Sequence, residues 1–189
     1  MTVEPIKNKK KIQEIQKYLK AKNLRDYLLF VIGTNTGRRI SDILKLQVKD
    51  VMGDQGNIRE FWLLTEQKTK KQARIKLNSK VRQAIKEYIA TLADYNMDTY
   101  LFASRKGGKP ITRQHAWLIL KDAADATGLD VIVGTHTLRK TWGYHAYEAS
   151  EHNIGLIMDA LNHSTPKHTL RYIGISQKAK DALMEMVQI

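Results

Sequence analysis

The spacing of apolar residues predicts a chain that is mostly helical. Across residues 12–19 and 24–32, apolar side chains recur every three or four positions, which places them on one face of an α-helix. The same repeat predicts an amphipathic helix over 79–95. Capping residues and a first-turn proline support further helices in the second half of the chain, over 112–127, 136–150, 154–161, 166–173 and 177–187.

Three short segments in the first half of the chain have a different pattern. Residues 47–51, 59–65 and 72–77 alternate in polarity or are rich in β-branched and aromatic side chains, which is typical of strands. The glycine-containing segment 53–57 predicts a turn between the first two. The sequence therefore predicts an α+β fold that is mainly α-helical, with a small three-stranded antiparallel sheet.

The segment between the second helix and the sheet places an arginine at a helix junction. Gly33 and Gly37 predict the end of the second helix, and Arg39 lies two residues after Gly37. Ser41 is predicted to cap the turn over 42–46. A helix N-terminus attracts phosphate, so Arg39 is a candidate for binding an anion.

Length and charge narrow the classes of function. A chain of 189 residues suits one domain, here with a basic opening segment over 1–11 and a tail helix within 174–189. The balance of 32 Lys and Arg against 19 Asp and Glu gives a net charge of +13, which is typical of a protein that binds nucleic acid.

The length of the apolar runs and the absence of cysteine indicate where in the cell the protein is expected. The sequence contains no apolar run of about 18 residues and does not open on a secretory signal, so we expect no membrane partner. It also contains no cysteine, which excludes disulfides and thiolate chemistry and fits a cytoplasmic protein.

Three motifs and one tyrosine lie in a fixed order along the chain. They are T-G-R-R-I-S-D at 36–42, H-T-L-R at 136–139, L-N-H at 161–163, and Tyr172, nine residues after His163. Together they resemble the active-site pattern of tyrosine recombinases of the phage integrase family, T-G-x-R-[IV]-[SG]-[DE], H-x-L-R, and L-G-H followed by the nucleophilic tyrosine. A lone H-x-x-R occurs by chance in many helices, so the joint pattern carries the resemblance.

The residue types in these motifs suit phosphoryl transfer. The planar side chains of Arg39 and Arg139 can each give paired N–H bonds to phosphate oxygens. A phenol, with an ordinary pKa of about 10, is a poor nucleophile at neutral pH, but cationic neighbours stabilise its phenolate. Tyr172 is thus the candidate nucleophile. The resemblance implies that His136 and His163 donate to phosphate oxygens or tune proton transfer, and the other histidines are predicted to be structural or on the surface.

The resemblance also implies site residues on basic loops. The family has a catalytic lysine on a β-hairpin, and counting back from 74–77 gives Lys68 as the match, with Lys70 and Lys71 as rivals. As a general acid, Lys68 would protonate the leaving 5′ oxygen. The predicted DNA-binding residues are Lys70, Lys71, Arg105, Lys106, Arg113 and Lys140.

Several features depart from the family pattern. Asn162 replaces the usual Gly, Lys140 stands where His is common, and Gly143 stands where Ala is usual. None of these changes removes a catalytic group. Because the sequence starts almost at the catalytic motifs, we expect the N-terminal core-binding domain of most family members to be absent. The chain is then either a fragment or a small protein whose grip on DNA is supplied by an accessory DNA-binding protein.

The resemblance implies an enzyme, a site-specific DNA recombinase that cleaves and rejoins strands through a 3′-phosphotyrosyl link. Its expected partners are double-stranded DNA and other copies of itself, as a dimer or tetramer on DNA. We expect no cofactor, and neither an H-E-x-x-H motif nor an acidic cluster suggests a metal.

Two other functions remain open at this stage. A DNA-binding regulator could keep the integrase fold without recombining, although the presence of every expected catalytic residue type argues against it. A monomeric relaxing topoisomerase uses the same chemistry, but the L-x-H-x8-Y spacing is that of the integrases.

Overall fold

The computed structural model describes residues 3–65, 72–105, 108–175 and 184–186, which form helices around a small sheet. In chain order the elements are α1 (Lys9–Lys22), α2 (Leu24–Thr36), α3 (Ile40–Ile43), α4 (Val48–Val51), β1 (Phe61–Thr65), β2 (Gln72–Lys76), α5 (Ser79–Ile89), α6 (Arg113–Ala126), α7 (Thr137–Ala149), α8 (Ile154–Leu161) and α9 (Pro166–Tyr172). The predicted α+β class, mainly α-helical, is confirmed.

Helix α2 lies at the centre of the core. Its residues 28–32 are all apolar and at most 1% exposed. A helix that is apolar on all sides must be covered on all sides, and α1, α5 and α7 pack around it. The end of α2 is therefore a fixed point from which the next residues can be positioned accurately.

Helix α2 ends at Gly37, which turns the chain toward Arg39. Gly37 has a φ of 63°, and a Cβ atom there would lie 2.3 Å from the Trp142 ring, so only glycine fits. The predicted helix junction at Arg39 is confirmed. The predicted cap is wrong, because α3 begins at Ile40 with Arg39 itself as the N-cap residue, ahead of Ser41.

The sheet has two strands, not three. Strands β1 and β2 pair antiparallel, with Phe61 opposite Lys76 and Thr65 opposite Gln72. Residues 66–71, which include the predicted general acid, connect these strands and lie outside the described residues.

The first of the three predicted strands, over 47–51, is replaced by the short helix α4. Val48 and Val51 are both fully buried, and a spacing of three places them on one helical face. The Gln47 N–H donates to Asp50 Oδ2 at 2.8 Å, which closes the first turn of this helix. The alternating segment is too short to distinguish the two-residue period of a strand from the 3.6-residue period of an α-helix.

The other predicted helices that fall on described residues are present, most with shifts at their ends, and the predicted tail helix over 177–187 lies outside the described residues except at 184–186. The Thr112 hydroxyl accepts from the His115 N–H at 3.1 Å and caps α6 as predicted. Helix α5 is shorter than predicted and ends at Ile89. Just beyond it, the Thr91 hydroxyl donates to the Tyr88 carbonyl at 2.7 Å, a local bond that competes with continuation of the helix.

Helices α8 and α9 are held on α7 by a small apolar cluster of their own. Ile157, Leu161 and Ile173 form it, separate from the main core. Gly143 of α7 makes this packing possible, because a Cβ atom there would lie 2.8 Å from Cγ2 of Ile173 and 3.3 Å from Cδ1 of Leu161. The replacement of the family's usual Ala by Gly143 thus lets the chain beyond Tyr172 approach α7 closely.

We expect Gly143→Ala to lower the free energy of unfolding, although alanine favours helices. The overpacking against Ile173 costs about 1–3 kcal/mol, which outweighs a gain of about 1 kcal/mol in helix propensity. Gly155→Ala is the matched control, because its Cβ atom would meet nothing closer than Asn153 Oδ1 at 3.5 Å. Urea unfolding should show a loss for Gly143→Ala and no loss for Gly155→Ala; equal stabilisation of both variants would contradict the packing argument.

Two features are absent from the part of the chain that the structure describes. None of its helices has the length and apolar character needed to cross a bilayer. Its His, Asp and Glu side chains form no group of three or more that could hold a metal ion.

Candidate active site

Side chains from α7, α9 and the turn before α9 converge on the Tyr172 hydroxyl. Nδ1 of His136 lies 3.2 Å from this oxygen, and Arg139 hydrogen-bonds to the same side chain. The His163 ring stands edge-on to the Tyr172 ring, with centroids 4.9 Å apart and an interplanar angle of 86°. The charge of Arg39 also acts on this hydroxyl, because it offsets part of the rise in the Tyr172 pKa that burial causes. The structure thus brings together the five predicted catalytic residues that it describes.

Helix α7 positions two of these residues. His136 is its N-cap residue, and Arg139 lies three residues later, so both side chains lie near one helical face. Arg139 is only 3% exposed, and its terminal nitrogens donate to the Gly37 carbonyl at 2.6 Å and the Leu161 carbonyl at 2.5 Å. These bonds hold the guanidinium between the ends of α2 and α8.

The turn between α8 and α9 positions His163. The His163 N–H donates to the Met158 carbonyl at 2.8 Å, and its Nδ1 lies 3.1 Å from Oγ1 of Thr169. Asn162, the preceding residue, is left-handed with φ 52° and ψ 51°. Asparagine tolerates this conformation better than most residues, so its presence in place of the family's Gly keeps the turn.

Both site histidines are neutral at pH 7. Loss of surrounding water is the largest cause that lowers the pKa of His136, followed by the charges of Arg113 and Arg139. Burial is also the largest cause for His163, and with nearby His168 and the arginines it lowers the pKa to about 4. A neutral His136 whose Nε2 carries the hydrogen can accept the phenol proton at Nδ1.

The Tyr172 phenol is protonated at rest. Burial raises its pKa, and Arg139 and Arg39 offset only part of that increase. Attack by Tyr172 therefore requires a proton acceptor, and His136 is in place to serve as one.

We expect the low pKa of His163 to make the fold less stable in mild acid. Below pH 6.5 the unfolded chain binds a proton at His163, while the folded state stays neutral down to about pH 4. The contribution of His163 to the free energy of unfolding is thus fully present above pH 6.5. It declines as the pH falls toward 4, by about 1–2 kcal/mol after allowance for solvent screening. Urea unfolding of His163→Gln and the wild type across this range should show a steeper loss for the wild type; parallel curves would contradict the assignment.

Lys140 does not fit its predicted role as a DNA-binding residue. It is only 8% exposed, its Nζ donates to the Val3 carbonyl at 2.8 Å, and burial lowers its pKa. The ammonium lies 5.0 Å from the centroid of the Tyr172 ring. Lys140 therefore contacts the candidate nucleophile from inside the protein rather than facing solvent.

The remaining predicted site residues lie on a loop, at the start of α6, or outside the described residues. Arg105 and Arg113 are exposed, and Arg113 is close enough to His136 to lower its pKa. Four predicted residues fall outside the described ranges and stay predictions: Lys68, Lys70, Lys71 and Lys106.

His168 belongs to the site, although the sequence suggested a structural or surface role. Its ring centroid lies 4.7 Å from that of His163 and 6.2 Å from that of Tyr172. The available signal was its position four residues before Tyr172, which places both side chains on one face of α9.

The opening segment also reaches the site. Residues 3–7, which we call the strap, run across α7: the Ile6 N–H donates to Thr141 Oγ1 at 2.9 Å, and the Ile6 carbonyl lies 3.0 Å from His145 Nε2. The Lys7 ammonium donates to the Gly174 carbonyl at 2.7 Å, two residues after Tyr172. The strap therefore contacts both α7 and the residue two positions after the candidate nucleophile.

Comparisons with known sequences agree with the site. The sequence model described as Phage integrase family matches residues 7–178. The probable integrase/recombinase YoeC of Bacillus subtilis is 49% identical over 175 residues, which cover 93% of this chain and 91% of YoeC. Tyrosine recombinase XerD of Corynebacterium glutamicum is 31% identical over 167 residues, which cover 87% of this chain and 52% of XerD.

Solved structures show the same fold. The crystal structure of XerA recombinase superimposes with a TM-score of 0.76 at 17% identity, over 98% of this chain and 64% of that one. The XerH site-specific recombinase bound to palindromic difH substrate gives a TM-score of 0.71 at 21% identity, over 93% of this chain and 51% of that one. The fold and the converged site thus define a tyrosine recombinase catalytic domain. The chain belongs to the phage integrase family.

Proposed function

We propose that this protein is a site-specific DNA recombinase that cleaves one strand with Tyr172 and rejoins it to another. The observation that carries the proposal is the Tyr172 hydroxyl held by His136 and Arg139, with His163 against its ring. The similarity to YoeC, described as a probable integrase/recombinase, supports the same activity. No observation of the site favours a regulator that does not recombine.

The proposal gives each side chain a role in the cleavage step. The Tyr172 oxygen forms a bond to the scissile phosphorus as its proton passes to Nδ1 of His136. Arg39 and Arg139 stabilise the negative charge on the nonbridging oxygens. The bond from phosphorus to the 5′ oxygen breaks, and that oxygen takes a proton from the predicted general acid, Lys68.

The same chemistry in reverse joins the strands. A 5′ hydroxyl from another strand attacks the 3′-phosphotyrosyl bond, and the Tyr172 oxygen leaves and recovers its proton. One phosphate ester is exchanged for another at each step, so the two reactions together need no external energy source.

The expected partners are DNA and further copies of this chain. A net charge of +13 supports extensive contact with phosphates. The XerH recombinase is described bound to a palindromic substrate, and a palindrome matches a two-fold pair of subunits. An accessory DNA-binding protein, a dimeric or tetrameric assembly and a cytoplasmic location are further parts of this proposal.

A covalent-trapping assay tests the proposal without knowledge of the target site. The protein is incubated with a library of nicked duplexes of randomised sequence, in which the cleaved fragment diffuses away and prevents religation. Denaturant-resistant adducts are collected, their DNA is sequenced, and the modified peptide is mapped by mass spectrometry. We expect a shared DNA sequence and a phosphotyrosyl link at Tyr172. Absence of adducts would overturn the proposal, and relaxation of supercoiled plasmid with no shared sequence would favour a topoisomerase.

A further inference from the structure

Arg38, the variable residue of the T-G-x-R motif, joins two helix ends beneath the candidate active site. Its side chain is buried, with only 6% exposed. Its Nε donates to the Thr36 carbonyl at 3.2 Å, and its Nη2 donates to the Ala160 carbonyl. Thr36 is the last residue of α2, and Ala160 is the second-last residue of α8. One guanidinium therefore connects the C-terminal ends of both helices.

Arg139 makes the same kind of bridge one residue further along each helix. It connects the carbonyl of Gly37, just after α2, to that of Leu161, at the end of α8. Carbonyls in the last turn of a helix lack intrahelical partners and carry partial negative charge, so the two guanidiniums can bind both ends at once. The two bridges form a double clasp, which we define as Arg38 and Arg139 with their carbonyl partners.

The double clasp fixes the two residues that flank it. Arg39 lies three residues after Thr36, and His163 lies three residues after Ala160. Their separation therefore depends on how closely the ends of α2 and α8 are held. The small apolar cluster around Ile173 anchors α8 to α7 but does not reach α2.

Arg38 and Arg139 are expected to behave differently when the phosphate binds. If Arg139 binds the scissile phosphate, its planar fork must turn toward the phosphate oxygens, which weakens its bonds to the carbonyls. Arg38 has its guanidinium committed to the helix ends and its side chain inside the protein. It can keep the helix ends together while Arg139 changes partners.

We propose that Arg38 is a positioning residue, which holds the His163 end of α8 against the Arg39 end of α2 while Arg139 binds the phosphate. The inference rests on the proposed function for its catalytic consequence. Its geometric part, that Arg38 fixes the surroundings of His163, can be tested without DNA.

The first test is NMR titration of the His163 ring in Arg38→Met. Methionine keeps much of the aliphatic stem but cannot donate to either carbonyl, so the end of α8 should loosen and water should reach His163. We expect the pKa of His163 to rise from its value of about 4 toward the ordinary value of 6.5. Arg25→Met is the matched control, since Arg25 also donates to a backbone carbonyl, that of Ala103 at 2.9 Å, and to the Asp26 carboxylate.

The second test is the rate of strand cleavage at saturating DNA. A small misplacement of a catalytic group costs about 100-fold in rate, so Arg38→Met should lose that much while its DNA affinity stays near that of the wild type. Arg38→Lys keeps the charge and can reach one carbonyl, so it should recover part of both the rate and the His163 titration. Should Arg38→Met fail to fold, Arg38→Lys and Arg38→Gln carry the comparison.

The outcomes separate the inference from the proposed function. If Arg38→Met and Arg25→Met have the same His163 titration and the same cleavage rate per folded molecule, Arg38 is an ordinary structural arginine and the inference is overturned. If the wild type itself forms no adduct, the proposed function fails, and the His163 titration still decides whether Arg38 fixes the site geometry.

Discussion

Tyr172→Phe is expected to abolish the covalent protein–DNA adduct while leaving the fold almost unchanged. The substitution removes one oxygen atom, and the hydrogen bonds that it loses to His136 and Arg139 cost about 1 kcal/mol of stability. Without the nucleophile, cleavage should fall by about 10⁴-fold or more. The measurement is a denaturing gel of adducts on nicked DNA, together with a binding titration that should show near wild-type affinity.

Two other tyrosines serve as controls for this substitution. Tyr144 and Tyr147 lie on α7 and pack against the small cluster around Ile173. Their phenylalanine variants should still form adducts, because neither is the residue on which His136, Arg139 and His163 converge. Adducts retained by Tyr172→Phe and lost in either control would move the nucleophile to α7.

Arg39→Lys is expected to reduce cleavage by about 10²–10³-fold with little change in DNA binding. Lysine keeps the charge but lacks the planar fork that donates to two phosphate oxygens, so the loss falls on the transition state. The measurement compares the cleavage rate at saturating DNA with the dissociation constant. Arg25→Lys is the control for the same change of side chain outside the site, and it should retain both.

Arg139→Lys should lose as much cleavage activity as Arg39→Lys, but its effect on stability complicates the comparison. Arg139 also bridges the Gly37 and Leu161 carbonyls, so its replacement leaves buried acceptors unsatisfied at about 1–3 kcal/mol each. Cleavage therefore has to be normalised to the folded fraction. A parallel loss of binding and cleavage in both Arg39→Lys and Arg139→Lys would make them ordinary contacts to the DNA backbone.

Local signals in the sequence were sufficient to predict most of the fold. Helix α8 has the predicted bounds, because the Asn153 side chain caps it and Asn162 ends it in the left-handed conformation. Residues 47–51 were wrongly predicted as a strand because the segment has only one turn's worth of residues. In so short a segment the burial of Val48 and Val51, which tertiary packing decides, is the distinguishing observation.

For the candidate site too, the sequence could predict some features and not others. The resemblance to the tyrosine recombinase pattern predicted that Arg39, Arg139 and Tyr172 meet, whereas the spacing within each motif determines only how that motif's own residues lie on a helix face or turn. It could not predict that Lys140 is buried, since its carbonyl partner belongs to Val3, 137 residues away in the sequence. A lysine next to a predicted catalytic arginine is interpreted as a surface cation unless that distant partner is known.

The strap gives the candidate nucleophile a mechanical connection to the opening of the chain. Lys7 donates to the carbonyl of Gly174 and the Ile6 N–H donates to Thr141 of α7, while the Ile6 side chain packs in the main core, so a force on the strap would act both on the core and on the segment that follows Tyr172. Helix α9 packs mainly against the small cluster around Ile173, so we expect it to be displaced more easily than α2. A displacement of the strap would therefore be transmitted through Gly174 to the end of the helix that carries the tyrosine.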